Sequence, residues 1–163
     1  MPGRLVTLVT DEIYHVYNRT IDDKRVFLQW EDYNRGYQAL NYYRFRSFPV
    51  SLSKLNTYSI KVAWDIIAQL EISKQHLVEI FAFCIMPNHF HILLKQKKDS
   101  GISVFLSNFQ NSYTRYFNTK KKRKGQIFLN RFKAKRVIDE ASFFHLSRYI
   151  HLNPYSAGIV KKI

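Results

Sequence analysis

Acidic residues are scarce in this sequence. Its 12 Asp and Glu residues stand against 26 Lys and Arg residues, which gives a formal net charge of +14 at pH 7. The few acids are scattered through predicted loops and helix faces, so a catalytic site built from a cluster of carboxylates is excluded. The positive excess favours a polyanionic partner, and nucleic acid fits that description better than a membrane surface.

Cysteine, proline, glycine and long apolar runs are also rare. The single cysteine, Cys84, excludes an internal disulfide and favours a reducing compartment. With 5 Gly, 4 Pro and 46% hydrophobic residues, the chain is expected to fold rather than stay disordered. No run approaches the roughly 20 apolar residues of a membrane span, and the N-terminus lacks a signal peptide's hydrophobic region. We expect one soluble cytoplasmic domain over residues 1–163, with no membrane partner.

The basic residues concentrate in one part of the chain. Residues 95–136 hold 13 Lys or Arg residues and a single acid, Asp99. Aromatic residues interleave with these cations, a pattern that suits single-stranded nucleic acid, although most of the rings are expected in the core. A plain solvated basic face is the alternative.

Hydrophobic periodicity predicts strands at 12–20, 77–86 (buried on both sides) and 89–96, and an extended segment at 126–138. It predicts helices at 29–45, 59–73 and 102–119, with Val62, Ile66, Ile67 and Leu70 sharing one face of the second. A last helix, capped by Asp139 or Ser142, is predicted to run to about residue 152, before Pro154 ends it. Residues 46–56 are predicted as a loop and 120–125 as a basic turn or hairpin tip.

This βαββαβ order predicts an α+β fold. It is typical of a ferredoxin-like or RRM-like antiparallel sheet with helices on one face, here with an added C-terminal helix. In that layout the strand 89–96 is central. Its outward side chains would lie on the open face of the sheet, where a ligand could reach them.

Two histidines alternate with apolar residues in "MPNHFHILLK" (86–95). In a strand, His89 and His91 would project from the same face, about 7 Å apart along the chain. Two such imidazoles can share one divalent metal ion. They can equally be polar residues on a half-exposed sheet.

The terminal helix carries a second group of polar residues in "HLSRYIHLNP". Tyr149 and Asn153 are four residues apart and share a helical face. The Asn153 carbonyl could complete a metal site, and the Tyr149 phenol could act as a nucleophile. Ordinary packing of the tyrosine and an ordinary helix stop at Asn153 are the alternatives.

Together these motifs resemble a known family. "YHVYNRT" (14–20), "FCIMPNHFHILLK" (83–95), "NRFKAKRV" (130–137) and "RYIHLNPYSAGIV" (148–160) resemble the single-tyrosine transposases of the HUH superfamily, where U is a hydrophobic residue. The branch most similar to the chain is that of the REP-associated tyrosine transposases. Residues 33–75 match poorly and are treated as a variable helical insertion region.

The resemblance implies a role for each matched residue. His89 and His91 would bind Mg²⁺ or Mn²⁺, Asn153 would be the third ligand, and Tyr149 would attack a phosphodiester in single-stranded DNA. A 5′-phosphotyrosine link and a free 3′-OH would result, and rejoining would need no ATP. His15, in the first motif, is expected to be structural. The family also implies a substrate with hairpin structure and leaves monomer and homodimer open.

Eight basic residues are candidate DNA contacts. Phosphate contacts near the site are expected from Lys95, Arg115, Arg131 and Lys133, and contacts to a DNA hairpin from Lys121, Lys122, Arg123 and Lys124. A solvated, disordered tip is the alternative for the second group.

Two other functions stay open. A non-catalytic module that binds single-stranded DNA or RNA would share the charge and the fold, but it would not need His89, His91, Tyr149 and Asn153 together. A metallohydrolase unrelated to nucleic acid is disfavoured by the charge of +14 and by the lack of a nearby acidic general base.

Overall fold

The computed structural model describes residues 7–161, which form a four-stranded antiparallel sheet and five α-helices. The strands are β1 (Ile13–Arg19), β2 (Val78–Met86), β3 (His89–Gln96) and β4 (Lys133–Arg136). The helices are α1 (Trp30–Tyr43), α2 (Leu52–Leu55), α3 (Ile60–Ser73), α4 (Gly101–Lys120) and α5 (Glu140–Ser156). A 3-10 turn, Ile21–Asp23, follows β1.

The strand order is β2-β3-β1-β4, which is the predicted ferredoxin-like arrangement. β2 and β3 form a hairpin through a tight turn at Pro87 and Asn88. β1 then lies between β3 and β4, so strands far apart in sequence are neighbours in the sheet. β3 is central, as expected.

The first face of the sheet carries the main core. Tyr14 and Val16 of β1 and Phe90, Ile92 and Leu94 of β3 alternate with residues on the other face and are fully buried. α4 covers them with an apolar stripe at helical spacing, formed by Ile102, Phe105, Leu106, Phe109 and Tyr113.

The second face is only partly covered. Ile150 of α5 is fully buried against a smaller cluster made by Ala82, Cys84, Met86, Leu93 and Val137. Asp139 caps this helix, because its Oδ1 accepts a hydrogen bond of 2.7 Å from the Ser142 N–H. The C-terminal helix therefore lies across the face that the βαββαβ unit leaves open.

Two predictions about burial are corrected. β2 is not buried on both sides, because it is an edge strand with Glu79 exposed and Phe81 39% exposed. Val62 does not share the packed face of α3 and is 44% exposed, whereas Ile66, Ile67 and Leu70 do pack against the core. α3 contacts the rest of the molecule along a stripe too narrow to include Val62.

Three predicted boundaries also change. The loop 46–56 contains the short helix α2, whose N-cap Ser51 accepts a hydrogen bond from the Lys54 N–H. Of the segment 126–138, only β4 pairs in the sheet, and residues before it make one isolated bridge, Thr20 to Phe128. α5 continues past Pro154 to Ser156, because the missing N–H falls in the last turn and the Ala157 N–H still reaches the Asn153 carbonyl.

Within residues 7–161, no helix is both long enough and apolar enough to cross a bilayer.

Candidate active site

His89 and His91 lie at the start of β3 and project from the second face, the one that α5 crosses. Their rings are nearly perpendicular, at 86°, with centroids 5.2 Å apart. His89 Nδ1 is 2.7 Å from the Asn88 side-chain oxygen. That oxygen can only accept, so His89 Nδ1 is the donor and Nε2 keeps its lone pair.

His15 of β1, expected from the sequence to be structural rather than a ligand, contacts this pair. Tyr17 is the direct cross-strand partner of His91, and His15 lies two residues earlier on the same face. Nε2 of His15 is 2.9 Å from Nδ1 of His91, and His15 is only 7% exposed. The Tyr17 ring stacks beside both imidazoles, with centroids 5.1 Å from His15 and 5.5 Å from His91.

Tyr149 reaches the histidines from α5. Its neighbour Ile150 is buried against the sheet, which holds this turn of the helix in place. The Tyr149 ring centroid lies 5.6 Å from that of His91 and 6.4 Å from that of His15, with both contacts edge to face. Tyr149 is 45% exposed, so it is open to a large substrate.

Asn153 lies one helical turn beyond Tyr149. Near its start, α5 packs Phe143 on Phe81 of β2, and further along it brings Tyr149 to His91. The helix therefore runs towards the β2–β3 turn. Asn153 lies nearer to that turn than Tyr149, just as His89 lies nearer to it than His91. Asn153 is half-buried, and its side chain makes no hydrogen bond within the described part of the chain.

Burial lowers the pKa of all three histidines. The pKa of His91 falls to about 4, because desolvation and the neighbouring His15 and His89 disfavour its charged form. The pKa of His15 is lowered by desolvation and by Lys135, and that of His89 by desolvation and by Arg19. The imidazoles are therefore neutral at pH 7, which is the form that binds a metal.

The available donors fit a divalent cation that accepts both nitrogen and oxygen ligands. Two neutral imidazoles are available on β3, and an amide without a partner in the described chain lies on the adjoining helix. Among residues 7–161, no three His, Cys, Asp or Glu side chains group together to hold a metal ion. A metal site here would accordingly need an oxygen donor of another kind, and the Asn153 side chain is the candidate.

Of the cations predicted near the site, the structure brings Lys133 to it. Ala134 packs on the first face, so Lys133 and Lys135 project from the second, opposite Tyr17 and His15. Both lysines are exposed. Lys135 was not among the predicted DNA contacts, although the alternation in "KAK" (133–135) indicates that it shares a face with Lys133.

Two other predicted cations lie away from the histidines. Lys95 is four residues along β3 from His91, about 13 Å, and forms an ion pair of 3.5 Å with Asp11. Arg115 is on α4, which packs on the opposite face of the sheet. Arg131 is exposed in the segment before β4.

The basic turn after α4 lies beside the segment that follows β1, whose last residue, Arg19, pairs with His89. Lys121, Lys122 and Lys124 are exposed, whereas Arg123 donates hydrogen bonds to the Asn118 side chain and the Gln126 carbonyl. A cavity of about 250 Å³ separates this turn from the segment after β1, and its lining includes Lys24, Arg25 and Arg123.

A sequence model of one protein family, described as "Transposase IS200 like", matches residues 55–153, more than half of the chain. The chain belongs to this transposase family. The resemblance to single-tyrosine transposases is thus confirmed, and the chain is a DNA transposase by family. No curated protein sequence matches it.

Two solved transposase structures are similar to the chain. A REP-associated tyrosine transposase bound to a REP hairpin is 17% identical, with a TM-score of 0.64 over 99% of this chain and 78% of that one. A Deinococcus radiodurans R1 protein assigned as a transposase is 16% identical, with a TM-score of 0.47 over 93% of this chain and 95% of that one. The similarity to the REP-associated transposase supports the α+β fold described above.

Proposed function

We propose that this transposase cuts and rejoins single-stranded DNA through a covalent link to Tyr149. The observation that carries the proposal is the contact between Tyr149 and His91, 58 residues apart in sequence and 5.6 Å apart between ring centroids. An exposed phenol beside buried neutral imidazoles is the arrangement that a tyrosine nucleophile at a metal-bound phosphate requires.

In the first step, the Tyr149 oxygen attacks the scissile phosphorus and the phenolic proton passes to water. The bond from phosphorus to the 3′ oxygen breaks, and that oxygen takes up a proton to leave as a 3′-OH. The 5′ phosphate stays on Tyr149. A DNA 3′-OH then attacks the same phosphorus, and Tyr149 leaves with a proton. One phosphodiester is exchanged for another, so no ATP is consumed.

A free phenol has a pKa near 10 and is a poor nucleophile at neutral pH. Mg²⁺ or Mn²⁺ held by His89, His91 and Asn153 would supply positive charge, which would offset the negative charge of the phosphate and of the developing phenolate. Imidazole donors favour Mn²⁺ by affinity, while Mg²⁺ is the more abundant ion in cells. Lys133 and Lys135 add positive potential on the same face, where DNA phosphates would lie.

We further propose a DNA hairpin as the partner. A similar structure holds a REP hairpin, and here the turn 121–125, with its exposed lysines, lies beside the segment that follows β1, the strand that pairs with β3. Lys24 and Arg25 face the same cavity as that turn. Residues 1–163 would act as one catalytic domain in the cytoplasm, as monomer or homodimer, with 33–75 as the family-variable helical region.

A covalent-trapping assay tests the chemistry. The protein is incubated with a library of labelled single-stranded hairpin DNAs and Mn²⁺, and adducts are sought on a denaturing gel. We expect an adduct that requires Mn²⁺ and disappears in Tyr149→Phe and His91→Ala. Asn153→Ala should reduce it and raise the Mn²⁺ concentration required.

Tyr155→Phe is the matched control, since Tyr155 is a 49% exposed tyrosine on the same helix. It should leave the adduct unchanged. An adduct that survives Tyr149→Phe would refute the assigned nucleophile. Tight hairpin binding with no adduct under any metal would favour the non-catalytic binding module instead.

A further inference from the structure

His15 contacts the candidate metal ligand His91 at one particular atom. The two ring nitrogens, His15 Nε2 and His91 Nδ1, are 2.9 Å apart, and the rings are inclined by only 21°. Both residues are buried, with 7% and 9% of their surfaces exposed. A hydrogen bond of this length between two neutral imidazoles contains one proton, and it lies on one nitrogen or on the other.

The position of that proton decides whether His91 can bind a metal. If His15 Nε2 donates, His91 carries its own proton on Nε2, and no lone pair on that ring is left for a ligand bond. If His91 Nδ1 donates, its Nε2 lone pair is free. Nδ1 of His91 is engaged by His15 in either case, so Nε2 is the nitrogen available to an ion.

The neighbouring histidine shows the same arrangement with an unambiguous acceptor. Asn88 Oδ1 accepts from His89 Nδ1 at 2.7 Å, and the Asn88 amide nitrogen is directed to the Asp23 carbonyl, 3.4 Å away. His89 is therefore held with its proton on Nδ1 and Nε2 bare. A matching acceptor at His91 would leave both Nε2 atoms of the pair ready for one shared ion.

We infer that His15 is a positioning residue that accepts a hydrogen bond from His91 Nδ1–H and thereby presents the His91 Nε2 lone pair to the metal. His15 engages Nδ1 of His91, so a ligand bond from His91 needs a bare Nε2 and a proton on Nδ1. That tautomer leaves His15 Nε2 as the acceptor of the shared hydrogen bond. This inference rests on the proposed function, because it assigns His91 as a ligand.

The proton position can be measured without any metal. Long-range ¹H–¹⁵N correlation spectra of the metal-free protein at pH 7.5 distinguish the two neutral imidazole tautomers, and His91→Ala identifies the His91 signals. We expect His91 to be protonated on Nδ1 and bare on Nε2. A proton on His91 Nε2 would overturn the inference.

Metal affinity provides the second readout, by Mn²⁺ titration followed by electron paramagnetic resonance. His15→Phe keeps a ring beside Tyr17 and Tyr149 but removes the acceptor, and it should weaken Mn²⁺ binding roughly 10- to 100-fold. His15→Gln places a carbonyl oxygen at a similar reach and should restore most of that loss. A merely structural role would not be rescued by a residue that shares only the acceptor.

His151→Phe is the matched control, because His151 is exposed on α5 and its Nδ1 bonds the Ser147 carbonyl of the same helix. It should leave Mn²⁺ affinity unchanged. If His89→Ala and His91→Ala abolish binding while His15→Phe does not weaken it, the inference fails and the proposed metal site stands. If the wild-type protein binds no Mn²⁺, the proposed metal site fails, and with it the role of His15.

Discussion

Among single substitutions of polar residues, we expect replacement of the buried acid Asp32 to lower the stability of the fold the most. It is 1% exposed, and its Oδ2 accepts hydrogen bonds from the backbone N–H groups of Leu28 and Gln29 at 3.0 and 3.1 Å. Its Oδ1 accepts from the Tyr116 hydroxyl at 3.0 Å and from Lys120 Nζ at 2.6 Å. One carboxylate thus completes the capping box with the N-cap Gln29 at the start of α1 and ties this helix to the last turns of α4.

The magnitude of Asp32→Ala follows from these contacts. Loss of an N-terminal cap costs about 0.5–2 kcal/mol, and loss of a hydrogen bond to a charged group about 1.5–3 kcal/mol. Lys120 is 28% exposed and can turn to water, which keeps the loss below that of a fully buried charge pair. We expect the free energy of unfolding to fall by about 3 kcal/mol for Asp32→Ala, and by less for the isosteric Asp32→Asn.

The effect should depend on pH. Burial raises the pKa of Asp32, but the hydrogen bonds from Lys120, the two N–H groups and Tyr116 outweigh it, so the pKa lies below its ordinary value. The charged form therefore stabilises the fold above pH about 3.9, and that contribution is lost as the pH falls through the lowered folded pKa. The gap between wild type and Asp32→Asn should close over that range.

Urea unfolding followed by far-UV circular dichroism, at pH 7 and in steps down to pH 3, measures both effects. A double-mutant cycle with Lys120→Met isolates the ion pair. An Asp32→Ala loss below about 0.5 kcal/mol, the range of an ordinary surface substitution, would refute the assignment. So would a gap to Asp32→Asn that stays constant with pH.

Three further predictions concern packing and DNA contacts. Gly101→Ala should cost about 1–3 kcal/mol in urea unfolding, because its Cβ would lie 2.3 Å from the Leu77 carbonyl oxygen; a neutral result would contradict that close approach. Asn18→Ala removes part-buried hydrogen bonds to the Gln110 side chain of α4 and to the Leu129 carbonyl, the second of which anchors the segment before β4, so it should also cost about 1–3 kcal/mol and speed proteolysis there; unchanged cleavage would count against this anchor. Lys133→Gln should lower the salt slope of single-stranded DNA binding by about 0.7 in fluorescence anisotropy, whereas Arg115→Gln on the opposite face should not; equal effects would refute the assigned binding face.

Local periodicity predicted the elements that carry the site. The alternation around His89 and His91 and the four-residue spacing from Tyr149 to Asn153 are properties of single strands and helices, so they can be read from short segments. The order of elements was enough to place β3 at the centre of the sheet. These predictions needed no knowledge of distant contacts.

The role of His15 could not be predicted in this way. Its partner His91 is 76 residues away, and the two meet only because β1 pairs with β3 in a register that sets Tyr17 opposite His91. Register depends on the whole sheet rather than on either strand alone. The exposure of β2 was missed for a related reason, because an apolar run does not show whether a strand lies at an edge.

The two edges of the sheet limit how copies of this chain could associate. β4 presents Lys133, Lys135 and Arg136 within four residues, and β2 carries an exposed Glu79 and a register irregularity between Ile80 and Ala82. Charged side chains and bulges at an edge disfavour addition of a strand from another molecule. The lysines that we propose as DNA contacts would thus also disfavour aggregation through sheets that continue from one molecule to the next. We expect any homodimer to form through helical surfaces, and light scattering of charge-neutralised β4 variants should reveal a new tendency to aggregate.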